Sequence, residues 1–356
     1  MENLGIVKTI MRVLVTGHNG YIGSVMVPML QSEGHLVIGL DTGFFEECTL
    51  FDSGNEVSSI RVDIRNLTPE HLQDFDAVVH LAALSNDPLG DLNPELTYDI
   101  NHKASVHLAK LAKEAGVTRY LYASSCSMYG AASSEEILTE DAPLRPITPY
   151  AIAKVRAEED LAQLADNNFS PVFMRNATAY GLSPSLRADV VLNNLVCWAY
   201  TTGKVRILSD GTPWRPIVHV ADISHAFSVV LKAPKDTIHN QAFNVGVNGE
   251  NYQVRDIAEF VRGTVPGCEV EYAGGGGPDP RNYRVDFTKL ATQVPNFKPQ
   301  WNAKRGAEEL YAKFQEMGLT LDDFQGRKYV RLRQLKYLLE EGWLDSNLRW
   351  QQGSKK

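Results

Sequence analysis

An α/β fold, with a doubly wound parallel sheet and a smaller, interleaved C-terminal α/β lobe, is what this 356-residue chain predicts. Three observations carry that reading. Short apolar segments alternate with helical stretches through the first half, and a glycine-spaced turn follows the first of them directly. After about residue 180 the loops lengthen and fill with Gly and Pro. Short strands that are apolar on both faces belong to a buried parallel sheet, and βα alternation winds such a sheet with right-handed crossovers.

Taken in order, strands are expected at 12–15, 36–40, 59–62, 77–81, 119–123 and 172–175, with helices at 101–116 and 149–167. Pro28 falls within the first helix, where it deletes a backbone hydrogen bond but leaves the glycine turn untouched. Residues 1–180 make the sheet domain, with 1–10 as a tail. Residues 181–320 make the smaller lobe, with some segments returning to the sheet. Residues 321–356 are an appended helical extension. Its apolar positions are Val330, Leu332, Leu335, Leu338 and Leu339, with Arg327, Lys328, Arg331, Arg333 and Lys336 expected on the other side. It reads as an amphipathic helix packed on the body, or as an oligomer contact or nucleotide-facing edge.

Composition narrows the function. The chain is 44% hydrophobic with net charge −8 and no Lys/Arg block, so nucleic acid is not an expected partner. No apolar run approaches the roughly 18–20 residues of a membrane span. Residues 1–10 lack a basic region followed by an apolar one. Cys48, Cys126, Cys197 and Cys268 have neither CxxC nor Cys/His ligand spacing, which indicates a reducing compartment and no metal site. A cytoplasmic protein is expected.

Two motifs carry the chemistry. Gly17-His18-Asn19-Gly20-Tyr21-Ile22-Gly23 follows Val13-Leu14-Val15 and opens a helix. Glycines there let backbone approach a pyrophosphate, and the helix N-terminus supplies N–H groups and a positive dipole end. Asp41, at the end of the second strand, suits two ribose hydroxyls and repels a 2′-phosphate, which favours NAD over NADP. Asp63, followed by Ile64, is placed for an adenine amino group, and Leu81-Ala82-Ala83 is small enough for a dinucleotide to lie against. His80 reads as a packed core histidine. The second motif, Tyr150-Ala151-Ile152-Ala153-Lys154, sets a phenol and an ammonium on one helical face. A cation there favours the ionised phenol, which makes a proton shuttle beside a hydride carrier.

These motifs, with His80-Leu81-Ala82-Ala83, Ser124-Ser125…Tyr129-Gly130 and Arg215-Pro216-Ile217-Val218-His219-Val220-Ala221-Asp222, resemble the extended short-chain dehydrogenase/reductase family. The closer resemblance, over residues 11–320, is to its NAD-dependent nucleotide-sugar epimerase/dehydratase branch, which has a Rossmann-type sheet. The resemblance implies a resident NAD, a nucleoside-diphosphate sugar substrate and a homodimer formed through helices 101–116 and 149–167. It implies Ser125, Tyr150 and Lys154 as catalytic residues, and Asn101 as support for the lysine. Ser85 matches a sugar contact, Asn193 and Asn194 contacts to diphosphate or base, and Arg215 and Arg281 diphosphate-gripping arginines. Tyr283 and Val205-Arg206-Ile207 fall near the nucleoside. Thr178 stands where relatives have Asn, and glycine near Gly276 where they have arginine.

The residues after Ser125 depart from the 4,6-dehydratases of the branch, which carry acidic groups there for elimination. Here they are Cys126 and Ser127, and Cys126 is a candidate catalytic thiol or a packing group. The pattern argues against 4,6-dehydration. It leaves open an epimerase working through a 4-keto sugar, or an NAD(P)-dependent 4-dehydrogenase or 4-ketoreductase, which Cys126 keeps in play. A non-catalytic dinucleotide sensor fits poorly with an intact Tyr150 and Lys154.

Overall fold

The structure is a computed structural model that describes residues 10–85, 93–131, 136–272 and 281–351. Residues 1–9 of the expected tail, and the stretch around Gly276, lie outside the described residues. The central sheet has seven parallel strands: β1 (Arg12–Thr16), β2 (Leu36–Asp41), β3 (Ser58–Arg61), β4 (Ala77–His80), β5 (Arg119–Ser125), β7 (Ser170–Asn176) and β11 (Gln241–Val245). Between β5 and β7 lies β6 (Ile137–Leu138), which pairs outside this sheet with β14 (Arg284–Val285). The order across the central sheet is β11-β7-β5-β4-β1-β2-β3. The chain therefore winds outward from β1 through β2 to β3, then restarts at β4 on the other side of β1. The crevice opens at that reversal, outside the carboxyl ends of the strands.

Six of these strands coincide with the sequence expectation within a residue or two at the ends. The seventh, β11, returns from the second half of the chain to pair with β7. Alternation along each strand sends neighbouring residues to opposite faces. Val13 and Val15 pack with Val79, Leu121 and Val172 on one side, with helices α1 (Gly23–Ser32) and Val220–Lys232 over them. Leu14, Val78, Tyr120 and Tyr122 face the other side, under α2 (Ala104–Glu114) and α3 (Pro149–Ala162).

Two expected helices are shorter than the periodicity suggested. The 101–116 helix is led by a π-helical turn, Asp99–Lys103, and becomes α-helical at Ala104. The 149–167 helix stops at Ala162, where Asp166 turns the chain by accepting from Asn168 and Phe169 N–H.

The smaller lobe contains β8 (Thr178–Tyr180), β10 (Trp214–His219) and β12 (Asn251–Gln253) in one sheet. A second ladder pairs β9 (Lys204–Ile207) with β13 (Glu269–Tyr272). Their core, including Leu192, Val196, Ile257, Leu310 and Phe314, is separate from that of the sheet domain. The C-terminal extension is two helices, Leu321–Gln325 and Arg331–Glu340, followed by a bridge between Leu344 and Trp350. Leu335 and Leu338 are buried in the sheet-domain core, as amphipathicity requires. One basic position breaks the expected pattern, since Arg331 is 3% exposed rather than on an outer face. No described helix is long and apolar enough to cross a membrane.

Candidate active site

A cavity of about 740 Å³ runs along the carboxyl ends of the strands, between the sheet domain and the smaller lobe. At one end is the glycine turn. Gly17 has φ +73°, and a Cβ there would lie 2.8 Å from Ala82 N; a Cβ on Gly23 would lie 2.4 Å from Gly17 O. Both contacts are with backbone, so no side chain can be accommodated by a rotamer change. Gly20 N–H donates to Gly17 O at 3.0 Å, which closes the turn. Ile22 caps α1 without offering a side-chain acceptor and no acidic residue stands in the first turn, so the dipole end beside the cavity carries no side-chain counter-charge of its own helix.

Asp41 lines the cavity at the end of β2; its carboxylate accepts from Gly43 N (2.8 Å) and Asn19 N (3.3 Å). Each carboxylate oxygen keeps further acceptor capacity. Asp63 and Ile64 also line the cavity. Burial pushes the Asp63 carboxyl up, but its bonds to Arg65 outweigh this and hold it below the usual range. The closest of them is 2.6 Å, and Arg349 lies 3.3 Å away. Leu81, Ala82 and Ala83 form the floor.

Beneath that floor His80 acts as a buried relay. Ser105 Oγ donates to Asn101 O (2.9 Å), so it accepts from His80 Nε2–H at 2.8 Å. His80 Nδ1 is then the acceptor for Thr16 Oγ1 at 2.6 Å. Burial, and then the charge of Lys154, push its pKa down to about 3, so the ring is neutral. His80 is the core histidine expected.

Ser125, Tyr150 and Lys154, the expected reacting groups, line the same cavity. Thr148 caps α3, its hydroxyl accepting from Ala151 N, and Pro149 opens the helix. Tyr150 and Lys154 then project from one face into the cavity. Lys154 is 3% exposed; its Nζ donates to Ala123 O at 2.6 Å and lies 5.8 Å from the centre of the Tyr150 ring. Burial pulls the ammonium down to about 7, opposed by the Glu158 carboxylate one helical turn on. Ser125 ends β5, lines the cavity, and accepts from Ser127 N at 3.2 Å. Nearby, Ser124 Oγ and Asn176 Oδ1 are buried lining atoms with no protein partner among the described residues. A glycine cradle that a Cβ would fill, Asp41 at a strand end and these unsatisfied atoms fit a dinucleotide.

Ser85, Thr178, Asn194, Arg215, Arg281 and Tyr283 line the same cavity from the smaller lobe and the loops facing it. Arg215 Nη1 donates to Trp214 O (2.7 Å) and to Arg281 O. Arg206 and Ile207 line it too, while Val205 is core.

Four expected site residues do not line it. Cys126 is fully buried, its thiol donating to Arg175 O at 3.1 Å, and burial pushes its pKa far up. Those are the surroundings of a packed core thiol, and its sulfur does not line the cavity. Asn193 is fully buried and holds Gly181 N, Arg187 O and the Tyr21 hydroxyl, so it braces the loop behind the cavity wall. Asn101 spends its amide on Leu84 N and O, fixing the floor's exit. Asn19 engages through backbone, with N–H to Asp41 and its carbonyl accepting from Ser185.

The cavity has further walls that motif reading missed. Arg187 is buried, pairs with Asp189 through two bonds of 2.8 and 3.0 Å, and reaches Ser85 Oγ at 3.0 Å. The spacing Arg187-Ala188-Asp189 in a polar loop was the available signal. Arg331 comes from the C-terminal extension.

Comparison with known proteins adds the family. Residues 13–246 match the NAD dependent epimerase/dehydratase family. The UDP-glucose 4-epimerase of Mycolicibacterium smegmatis is 31% identical over 303 residues, covering 82% of this chain and 94% of that protein. The UDP-glucose 4-epimerase of Lactobacillus helveticus is 30% identical over 309 residues, covering 82% and 92%. Among solved structures, MoeE5 in complex with UDP-glucose and NAD aligns with a TM-score of 0.73 at 26% identity, over 86% of this chain and 100% of that one.

Proposed function

The chain belongs to the NAD-dependent epimerase/dehydratase family, and from that premise we propose that it is a nucleotide-sugar epimerase working through a 4-keto sugar. The observation that carries this reading is the composition of the reacting end. Ser125, Tyr150 and Lys154 line one cavity, and the two residues after Ser125 bring no carboxyl group. Oxidation and re-reduction at one carbon need only a proton shuttle beside a hydride carrier. Elimination needs a further acid and base, which Cys126 and Ser127 do not supply.

Gly17, Gly20, Tyr21, Ile22 and Gly23 would hold the pyrophosphate of NAD, Asp41 the adenosine ribose, and Leu81–Ala83 the dinucleotide's flank. Bound NAD supplies a site that takes the sugar's hydride and returns it. The protein's part is the proton. Tyr150, as phenolate, removes it from the C4 hydroxyl, and Ser125 hydrogen-bonds the same oxygen. Lys154 places positive charge beside the phenol and favours its ionised state. Glu158 opposes the loss of that charge on burial. The ketone then presents its other face, and Tyr150 would return the proton to the same oxygen. Arg215 and Arg281 suit the substrate diphosphate through their fixed forks of donors. Residues 181–320 mainly serve the nucleotide sugar.

The dehydrogenase or ketoreductase reading drew on a thiol beside Ser125, and a buried Cys126 bonded to Arg175 O withdraws that support. A homodimer through α2 and α3 accompanies the proposal, checked by light scattering at micromolar concentration. The test of function is a screen of UDP-, GDP-, CDP- and dTDP-hexoses with no cofactor added. Interconversion of C4 epimers supports the reading. Turnover only with added NAD(P)(H), at one equivalent consumed per sugar, would replace it with a net oxidoreductase.

A further inference from the structure

The C-terminal extension lies beyond residue 320, yet it reaches the proposed cofactor site. Helix Arg331–Glu340 is seated by Leu335 and Leu338 in the core and by Gln334, whose amide donates to Phe44 O at 3.1 Å. Trp350 Nε1 donates to Thr42 O at 2.7 Å, and Arg349 reaches Asp63 at 3.3 Å. The extension thus clasps the segment after β2 and the Asp63 corner. Both flank the part of the cavity where Asp41 stands.

From the first residue of that helix, Arg331 enters the cavity lining. Its guanidinium stacks over Phe45 at 4.7 Å, and Nη2 donates to Ser185 O at 2.9 Å. Ser185 Oγ in turn donates to Asn19 O within the glycine turn. Nη1 is buried and has no hydrogen-bond partner among the described residues. The buried Cys48 thiol, a weak sulfur partner, is the first side chain to act on the guanidinium, and Asp189, which also acts on it, is already bidentate with Arg187. A guanidinium buried with an unspent donor, beside a second arginine and next to a phosphate-cradling turn, is arranged for an anion.

We propose that Arg331 donates Nη1 to a pyrophosphate oxygen of the bound dinucleotide, so that the C-terminal extension is a clasp retaining the cofactor. This rests on the reading of the cavity as an NAD site. It gives an epimerase that must not release its cofactor between half-reactions a contact supplied from outside the sheet domain.

The test titrates NAD, ADP-ribose, ADP, adenosine and NADP into full-length wild type, Arg331→Met and Arg331→Lys by calorimetry. Thermal unfolding of each ligand-free protein is followed alongside. The clasp expects Arg331→Met to weaken NAD, ADP-ribose and ADP by about 10- to 100-fold, with adenosine unchanged and part of the loss restored in Arg331→Lys. Equal weakening of adenosine would make Arg331 a packing residue and overturn the proposal. So would a loss confined to NADP, which places the contact on a 2′-phosphate, or no loss at all. Each protein is first stripped of resident nucleotide, and wild type that neither releases NAD on denaturation nor binds any of these ligands once stripped would instead remove the NAD reading itself, and the clasp with it.

Discussion

Removing the Glu158 carboxylate tests how β7, and β5 beside it, are held. Glu158 and Arg175 are 6% and 7% exposed and share three hydrogen bonds, the shortest 2.7 Å. Arg175 also donates to the Tyr129 hydroxyl (3.2 Å) and Glu140 O (2.9 Å). It lies on β7, in register with Ser124 on β5, next to the pair Asn176 and Ser125. Glu158→Gln leaves the arginine buried without its counter-charge, a change that costs about 3–5 kcal/mol. Unfolding entropy near 2.1 cal/mol/K per residue gives about 0.75 kcal/mol per kelvin for 356 residues, so the midpoint should fall by about 4–7 °C. Scanning calorimetry on wild type, Glu158→Gln and the double variant Glu158→Leu/Arg175→Met measures this. The double variant removes both charges and should recover most of the loss, since an apolar pair needs no desolvation. A single variant within a degree of wild type, or a double variant no more stable than the single, would refute the reasoning.

Tyr150→Phe should cut turnover by about 100-fold or more while NAD affinity stays near wild type, because only the proton shuttle is lost; equal loss of both, in rate assay and titration, would point to misfolding. Cys126→Ala should keep turnover within about twofold and lower stability by about 1–2 kcal/mol from the lost bond and contacts; a turnover collapse in a folded protein would restore the thiol to the mechanism. Lys154 is held at about 7 in the fold, below its ordinary value near 10.5, so the unfolded chain binds the extra proton between those values. Wild-type stability relative to Lys154→Met should therefore rise with pH from about 7 to about 10, by up to about 5 kcal/mol, and be flat below that window. Denaturant unfolding at stepped pH measures the difference, and a flat difference throughout would contradict the burial argument.

The parts legible in the sequence were those with local patterns. β1 through β5 and β7 are short apolar runs spaced by turns, and Gly17–Gly23 and Tyr150–Lys154 carry their chemistry within one turn of backbone. β11 was not legible, because it sits among substrate-lobe segments and is a strand of the main sheet only through pairing with β7. Cys126 and Asn193 occupy motif-rich neighbourhoods, but where their side chains point depends on Arg175 O and the Gly181 loop, which are distant in sequence. Arg331 illustrates the converse. Its helical position reads as outward-facing, and only the docking of the extension on Phe44, Phe45 and Ser185 buries it in the cavity.

The most direct test of the epimerase cycle follows the hydrogen at the reacting carbon. UDP-glucose carrying deuterium at C4 is incubated with protein purified without added cofactor, and both epimers are analysed by mass and NMR. Hydride taken up and returned within one closed site expects the C4 epimer to form with deuterium retained at C4, with no reduced nicotinamide accumulating in solution. An epimer that has lost its label to solvent, or product formed only as free NAD is reduced, would contradict it.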